Sequence, residues 1–389
     1  MLNGLCILGS TGSVGTRALE IAKRFNINVC AIAGGKNYEL MEKQAREFKP
    51  KIISMHDEKA ALKLKENLKD TFIKIVSSED GILEVASFKD SDMVLNAVGG
   101  ISGLRPTIEA IHFGKNISIA NKESIVAAGE IIKKAANDKG VKILPVDSEH
   151  SAIFQCLECS RKKGDLKRVF LTASGGPFYG KSREDLRRVS IEETLAHPNW
   201  KMGKKITVDS ASFMNKGLEL IEASCLFEIP FQSIEILVHK ESIIHSMVQY
   251  RDNSIIAQMS SIDMGLPIQH AILWPDRLDS DVVELDFVKL KSLSFAKFDE
   301  EVFELPSVCK KAIELGGTAP AFLVGADEKA VELFLDSKIS FLEMMDLIKS
   351  VFSLYEFHEI NSLDDALDAN YKAQDLVLEN FLKTSLQSK

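Results

Sequence analysis

Cysteine is scarce in this chain: six among 389 residues, at Cys6, Cys30, Cys156, Cys159, Cys225 and Cys309. Such scattered use excludes a disulfide-stapled scaffold and reads as reduced core thiols of a cytoplasmic protein. Cys156 and Cys159 have CxxC spacing, but no second pair accompanies them and the surrounding pattern is helical, so a redox or zinc role is the lesser reading. No run of about 18 apolar residues occurs, which excludes an ordinary membrane-spanning helix. The opening MLNGLCILGSTGSVG lacks a basic segment and a small-residue cleavage site, so it is not expected to be a signal peptide. Positive charge is not in excess either. Lys and Arg total 48 against 56 Asp and Glu, a net charge of −8, so no general attraction to nucleic acid or anionic membrane is expected. Any anionic ligand must be held by local donors. Internal repeats and low-complexity tracts are also absent.

What is present is a soluble globular balance, 45% hydrophobic and 27% charged, in a chain long enough for two or three domains. Up to residue 147, short apolar runs alternate with amphipathic stretches. Leu5–Leu8, Asn28–Ala33, Ile52–Met55, Asp92–Val98, Asn116–Ala120 and Lys142–Val146 read as buried parallel strands. The segments between them are helical, so residues 1–147 are expected to form a doubly wound, Rossmann-like α/β domain. Residues 148–277 show more alternation, with strands at Arg168–Ala173, Ser233–His239, Ile243–Gln249 and Ser254–Met259 and a helix over 211–227. They read as a central α+β domain. Residues 278–305 read as a connecting segment, and 306–389 as a C-terminal α-helical domain.

Gly9-Ser10-Thr11-Gly12-Ser13-Val14-Gly15 follows the first strand and opens the first helix. Glycines there permit a tight turn and let backbone approach a pyrophosphate at the helix N-terminus. The second strand ends in Gly34-Gly35-Lys36-Asn37 without the acidic residue that would bind a ribose 2′-hydroxyl. Lys36 and backbone N–H groups could instead hold a 2′-phosphate, which favours NADPH over NADH. Beyond a strand end, Asp147 and Glu149 are two apart. In extended backbone both would share one face and suit a hard divalent ion. Ser174-Gly175-Gly176-Pro177 is a small-residue turn with free donors. Ser210, Asn215 and Lys216 lie near a helix start, where they would cradle phosphate, with Glu219 one turn beyond Asn215. His197-Pro198-Asn199-Trp200-Lys201-Met202-Gly203 places one of two tryptophans outside any apolar periodicity, as expected of a lid over 194–204 that closes on a ligand. His245 could line the same cavity.

These segments together resemble the 1-deoxy-D-xylulose 5-phosphate reductoisomerase family. The resemblance runs over the whole chain through GSTGSVG, AGGKN, LNAVGGISGL, ANKES, PVDSEHSAIFQ, TASGGPF, HPNWKMGKKITVDSASFMNKGLELIEA, IHSMVQY and HAILWPDR. It departs from the family pattern at Ala196, where Arg is common, and at Asp327, where Asn is usual. The resemblance implies rearrangement and NADPH-dependent reduction of a small phosphorylated sugar to 2-C-methyl-D-erythritol 4-phosphate, in isoprenoid precursor synthesis. It implies NADPH contacts from Thr11, Gly12, Ser13, Val14, Gly35, Lys36, Asn37, Asn121, Glu123 and Gly203. Asp147, Glu149 and Glu219 would hold Mg²⁺, Mn²⁺ or Co²⁺. Ser174, Ser210, Asn215 and Lys216 would grip the phosphate, while Lys122, Ser148, Glu149, His197, Trp200 and Glu219 would meet the rest of the substrate. Glu149, Lys122, His197 and Glu219 form the implied catalytic set, in a homodimer.

Overall fold

The computed structural model describes residues 2–160 and 162–387. The chain forms two compact units, and each is built from several stretches of sequence. The first comprises Met1–Ser124, Glu130–Ser151 and Asp263–Val283; the second comprises Ile125–Gly129, Ala152–Ile262 and Glu284–Lys389. Within these, Met1, Arg161, Ser388 and Lys389 lie outside the described residues, as does that end of the expected C-terminal domain. The units thus cut the chain differently from linear boundaries at 147, 277 and 305.

The first unit carries a seven-stranded parallel sheet in the order β4-β3-β2-β1-β5-β6-β7. Its strands are β1 (Leu5–Leu8), β2 (Val29–Gly34), β3 (Ile52–Met55), β4 (Lys74–Ser77), β5 (Met93–Asn96), β6 (Asn116–Ile119) and β7 (Ile143–Pro145). The runs LCIL, IISM and MVLN are buried throughout because helices cover both faces. Those helices include α1 (Ser13–Arg24), α2 (Tyr38–Phe48), α3 (Glu58–Asn67), α4 (Ser78–Ala86), α5 (Leu104–His112) and α6 (Lys122–Lys139). Strand order reverses between β1 and β5, the usual place for a ligand crevice in a doubly wound sheet. The expected α/β class is therefore what the chain adopts, but with a seventh strand. β4 is an edge strand of partial exposure, and KIVS offers no continuous apolar run to reveal it. Helix α7 (Ser148–Leu157) starts directly after Asp147, which corrects the extended-backbone geometry expected for Asp147 and Glu149.

The second unit contains a five-stranded sheet in the order β11-β10-β8-β9-β12. Its strands are β8 (Leu166–Ala173), β9 (Ile234–Val238), β10 (Ile244–Tyr250), β11 (Ile255–Met259) and the two-residue β12 (Ala296–Lys297). β8 pairs parallel with β9, whereas β10 pairs antiparallel with both β8 and β11. Around it lie α8 (Ile191–Leu195), α9 (Lys204–Ala211) and α10 (Met214–Phe227). One further helix, α11 (Gly265–Leu273), belongs to the first unit. The second continues with the short α12 (Phe287–Leu290) and with α13 (Leu305–Leu315), α14 (Ala319–Leu335), α15 (Phe341–Leu354) and α16 (Leu363–Gln387), the expected helical region. Its core is aromatic: Phe322 stacks on Tyr355 at 4.4 Å between centroids, and Phe178 meets Phe341 edge-on at 5.2 Å.

Candidate active site

In the first unit, the turn after β1 is shaped by backbone contact. Gly9 has φ +84°, and a Cβ there would lie 2.5 Å from the Ala97 carbonyl oxygen at the end of β5. The Gly9 and Ser10 N–H groups both donate to the Ala33 carbonyl at 2.9 and 2.8 Å, tying the turn to β2. Ser10 is buried and exchanges hydrogen bonds of 2.8 Å with the Gln44 side chain of α2. Gly15 is tighter still, because a Cβ there would sit 2.2 Å from the Gly9 oxygen. No described side chain caps α1 at Gly12; the Gly12 N–H is taken up by the Gly9 carbonyl at 3.0 Å, which leaves the N–H groups of Ser13 and Val14, at the start of the helix, to a ligand. Across from them, Gly35 opens onto space with no described atom within 4 Å of a Cβ position. These features fit a dinucleotide pyrophosphate and a 2′-phosphate over Gly35 and Lys36.

Two residues implied in cofactor binding also have structural work. Asn37 accepts from Leu40 N at 3.1 Å and caps α2. Buried Asn121 caps α6 by accepting from Ser124 N at 3.1 Å, and its amide donates to the Val98 and Gly100 carbonyls at 2.6 and 2.8 Å. The same amide donates to Glu123 at 3.2 Å. Asn121 is therefore a brace between the loop after β5 and α6.

Asp147 stands at the start of α7. Its Oδ1 accepts from Glu149 N at 3.1 Å and from His150 N at 3.3 Å, and lies 2.8 Å from His150 Nδ1. Its Oδ2 accepts from Lys122 Nζ at 2.6 Å. Burial opposes ionisation of Asp147, yet Lys122 and His150 outweigh it and hold the carboxyl well below the usual carboxylate range. Ser148 Oγ donates to Glu149 Oε2 at 2.6 Å. His150 is fully buried and carries no role in the motif reading; only the fold reveals it as the partner that orients Asp147.

In the second unit, β8 ends in the Ser174–Gly176 turn. Gly175 and Gly176 have φ +91° and +65°, and a Cβ on Gly176 would lie 2.9 Å from the Ser210 carbonyl oxygen. The turn thus packs on the end of α9. The chain then reverses through Phe213 at φ +60°, held by ring contacts of 4.7 Å with Phe298 and Phe303, and enters α10. There Glu219, 1% exposed, accepts from Asn215 Nδ2 at 2.5 Å and pairs with Lys216 Nζ. The expected one-turn spacing of Asn215 and Glu219 is present, and the Lys216 pairing is additional.

His197 is read by its partners. Its Nδ1 accepts from Asn199 N at 3.2 Å and Trp200 N at 2.9 Å, so Nε2 carries the proton and donates to Ser174 Oγ at 3.1 Å. Burial, with a further contribution from the Lys216 charge, pushes its pKa down to about 4. His245, 6.2 Å from the Trp200 ring, is likewise lowered to about 4, chiefly by burial. Asn199 Nδ2 donates to Lys240 O and Ser242 Oγ, both at 2.7 Å, a contact of the HPNWKMG segment that local pattern does not disclose. A neutral donor is the consequence. In ¹⁵N NMR, His197 is expected as the Nε2–H tautomer with no titration between pH 5 and 8; a midpoint near the ordinary 6.5 would contradict it. Its stability effect has a defined sign. Protonation favours the unfolded chain below about pH 6.5, so stability is lost as pH falls toward 4, and His197→Gln should flatten that loss in a Tm–pH profile.

Comparison with known proteins decides the family. Sequence models described as 1-deoxy-D-xylulose 5-phosphate reductoisomerase, its C-terminal domain and the DXP reductoisomerase C-terminal domain match residues 5–129, 143–227 and 259–376. This chain belongs to the 1-deoxy-D-xylulose 5-phosphate reductoisomerase family. The reductoisomerase of Acetivibrio thermocellus is 50% identical over 97% of this chain and 99% of its own, and that of Clostridium tetani 46% over 93% and 95%. The solved structure of the Zymomonas mobilis reductoisomerase in complex with NADPH superposes with a TM-score of 0.92 at 37% identity, covering 98% of this chain and 99% of that one. A reductoisomerase in complex with NADPH, fosmidomycin and magnesium gives the same TM-score at 35% identity and 99% coverage of both. Within this family frame, Asp147 and Glu149 belong to the first unit and Glu219 to the second. All three are carboxylates, an oxygen donor set that suits a hard divalent ion.

Proposed function

We propose that the protein converts 1-deoxy-D-xylulose 5-phosphate to 2-C-methyl-D-erythritol 4-phosphate with NADPH and a divalent metal ion. The observation that carries this reading is the near full-length match to the family, 50% identical over 97% of the chain to the Acetivibrio thermocellus reductoisomerase. Residues 1–147 serve as the NADPH-binding domain, 148–277 as the catalytic domain with its lid, and 306–389 as helical support.

Each part of the chain then has a task. The α1 N-terminus and the Gly35–Asn37 turn bind the dinucleotide, with Glu123 and Gly203 toward its nicotinamide end. Ser174, Ser210, Asn215 and Lys216 bind the substrate phosphate, Lys216 as the point charge. His197 donates its Nε2 proton to a substrate oxygen and cannot serve as a base through Nδ1. Lys122 holds Asp147 ionised, and Ser148 orients Glu149. Trp200 and its loop close over the bound sugar and exclude water. When bound, a divalent ion held by Asp147, Glu149 and Glu219 supplies Lewis acidity at neighbouring substrate oxygens, and NADPH supplies the hydride. Magnesium, manganese and cobalt all suit these ligands.

Two finer readings accompany it. A homodimer is supported by the edge strand β11, whose Ile255 is exposed, and sedimentation velocity tests it. A cytoplasmic location is supported by six free cysteines; among the described residues no helix is long and apolar enough to cross a membrane. The reaction itself is tested by following NADPH oxidation with 1-deoxy-D-xylulose 5-phosphate, with magnesium and with a chelator. Turnover that persists after chelation, or none in either condition, overturns the reading. NADPH is expected to exceed NADH in kcat/KM by about 10- to 100-fold, some 1.4 kcal/mol per decade from the 2′-phosphate contacts. Equal values would remove Gly35–Asn37 from the 2′-phosphate site.

A further inference from the structure

Helix α9 joins two parts of the site in the second unit. It starts from Gly203, the last residue of the HPNWKMG segment, and it carries Ser210 near its end. Thr207 Oγ1 donates to Gly203 O at 2.8 Å and fastens that start. In the first turn, Lys205 Nζ lies 2.7 Å from Asp209 Oδ2 and also contacts Asp327 Oδ2 on α14. Asp209 and Asp327 are 2% and 1% exposed. Placing one ammonium between two buried carboxylates is a poor way to gain stability, because desolvation opposes the attraction and an apolar cluster would do as well. What such a cluster does give is direction: the amine fixes one helix against another at a set rotation.

The cluster also adjoins the phosphate-binding helix. Cys309 of α13 is buried, and its thiol is pushed well above the ordinary range by burial, with Asp327 and Asp209 adding to it. That sulfur packs on α10 so closely that a Cβ at Gly217 would lie 2.4 Å away. Gly217 immediately follows Lys216. The carboxylates thus sit where α9, α10, α13 and α14 meet.

We propose that Lys205 is a positioning residue: clamped by Asp209 and Asp327, it holds α9 so that Ser210 keeps its place in the phosphate cradle and the lid moves from a rigid hinge at Gly203. The kinetic readout rests on the reductoisomerase reading, so wild-type turnover is measured first, and its absence counts against that reading alone. Hydrogen exchange across residues 197–204 tests the hinge without activity. In Lys205→Met, the KM for the phosphorylated substrate should rise about 10- to 100-fold, as expected for misplaced binding groups. The KM for NADPH should rise less than that for the substrate, because most of its proposed contacts lie at the α1 N-terminus and the Gly35–Asn37 turn, outside α9, and exchange across 197–204 should accelerate. Lys205→Arg should restore much of the loss. If Lys205→Met does not fold, the double variant Lys205→Met with Asp327→Asn, which removes one buried charge along with the amine, is judged by the same measurements. A lowered Tm with unchanged substrate KM and unchanged exchange would overturn the proposal, as would equal rises in both KM values.

Discussion

Glu219→Gln is expected to lower kcat/KM by about 10³-fold or more, while NADPH affinity stays within about twofold. Glu219 is buried, accepts from Asn215 and pairs with Lys216. The amide keeps the shape but removes the charge offered to a metal, and it presents an N–H₂ group where Asn215 or Lys216 now donates. One change therefore disturbs both proposed sites, the metal site directly and the phosphate site through Asn215 and Lys216. The dinucleotide turn lies in the other unit's sequence and is unaltered. Steady-state kinetics over a magnesium series, beside NADPH binding by fluorescence, make the measurement. Near wild-type kcat with an unchanged magnesium requirement would mean Glu219 is not a ligand.

Gly15→Ala should act on the opposite partner. The added Cβ would meet the Gly9 oxygen at 2.2 Å and the Ser10 Cα at 2.6 Å, both backbone atoms of the turn. Backbone cannot rotate aside as a flexible side chain can, so the turn must open or α1 must shift. Overpacking of this kind typically costs about 1–3 kcal/mol, and the N–H groups proposed to bind the pyrophosphate move with it. The expected result is an NADPH Kd raised by about 100-fold with a Tm lower by a few degrees, roughly 2–4 °C per kcal/mol. An unchanged Kd would separate this turn from cofactor binding.

Much of the architecture is legible in local pattern, and the exceptions have physical reasons. Strands such as LCIL and MVLN announce themselves because both faces are buried. β4 does not, being a half-exposed edge, and neither does β12, whose two residues are strand only because β9 lies beside them. Most of α11 is buried, so GLPIQHAIL shows no polar stripe to mark it as a helix. The candidate site residues stand out in the sequence for a different reason: glycines and small polar groups cluster at strand ends, where the backbone turns tightly and a Cβ would clash, as at Gly9 and Gly15. Their partners do not. Nothing local to Lys205 points to Asp327, 122 residues away, and Asn121 cannot be seen as a brace until the loop at Val98–Gly100 is folded over it. Helix periodicity places both Asn215 and Lys216 within reach of Glu219, but only the fold shows that each takes a different oxygen of its carboxylate.

The interleaving of the two units has a consequence for how the protein is made. The first unit needs Asp263–Val283: Ser118 Oγ donates to the Ala271 carbonyl at 3.2 Å, and Arg17 bonds Asp281 at 2.9 and 3.1 Å. On a ribosome, the seven strands of the sheet have all emerged long before that segment exists. At roughly 5–20 residues per second, the about 130 residues between Ser151 and Val283 delay completion by several seconds or more. Through that interval α11 is missing from its place beside β6 and β7, and the nascent chain carries an unfinished apolar face. The second unit is being synthesised meanwhile, and its last segment, Glu284–Lys389, follows only after the first unit's chain is complete.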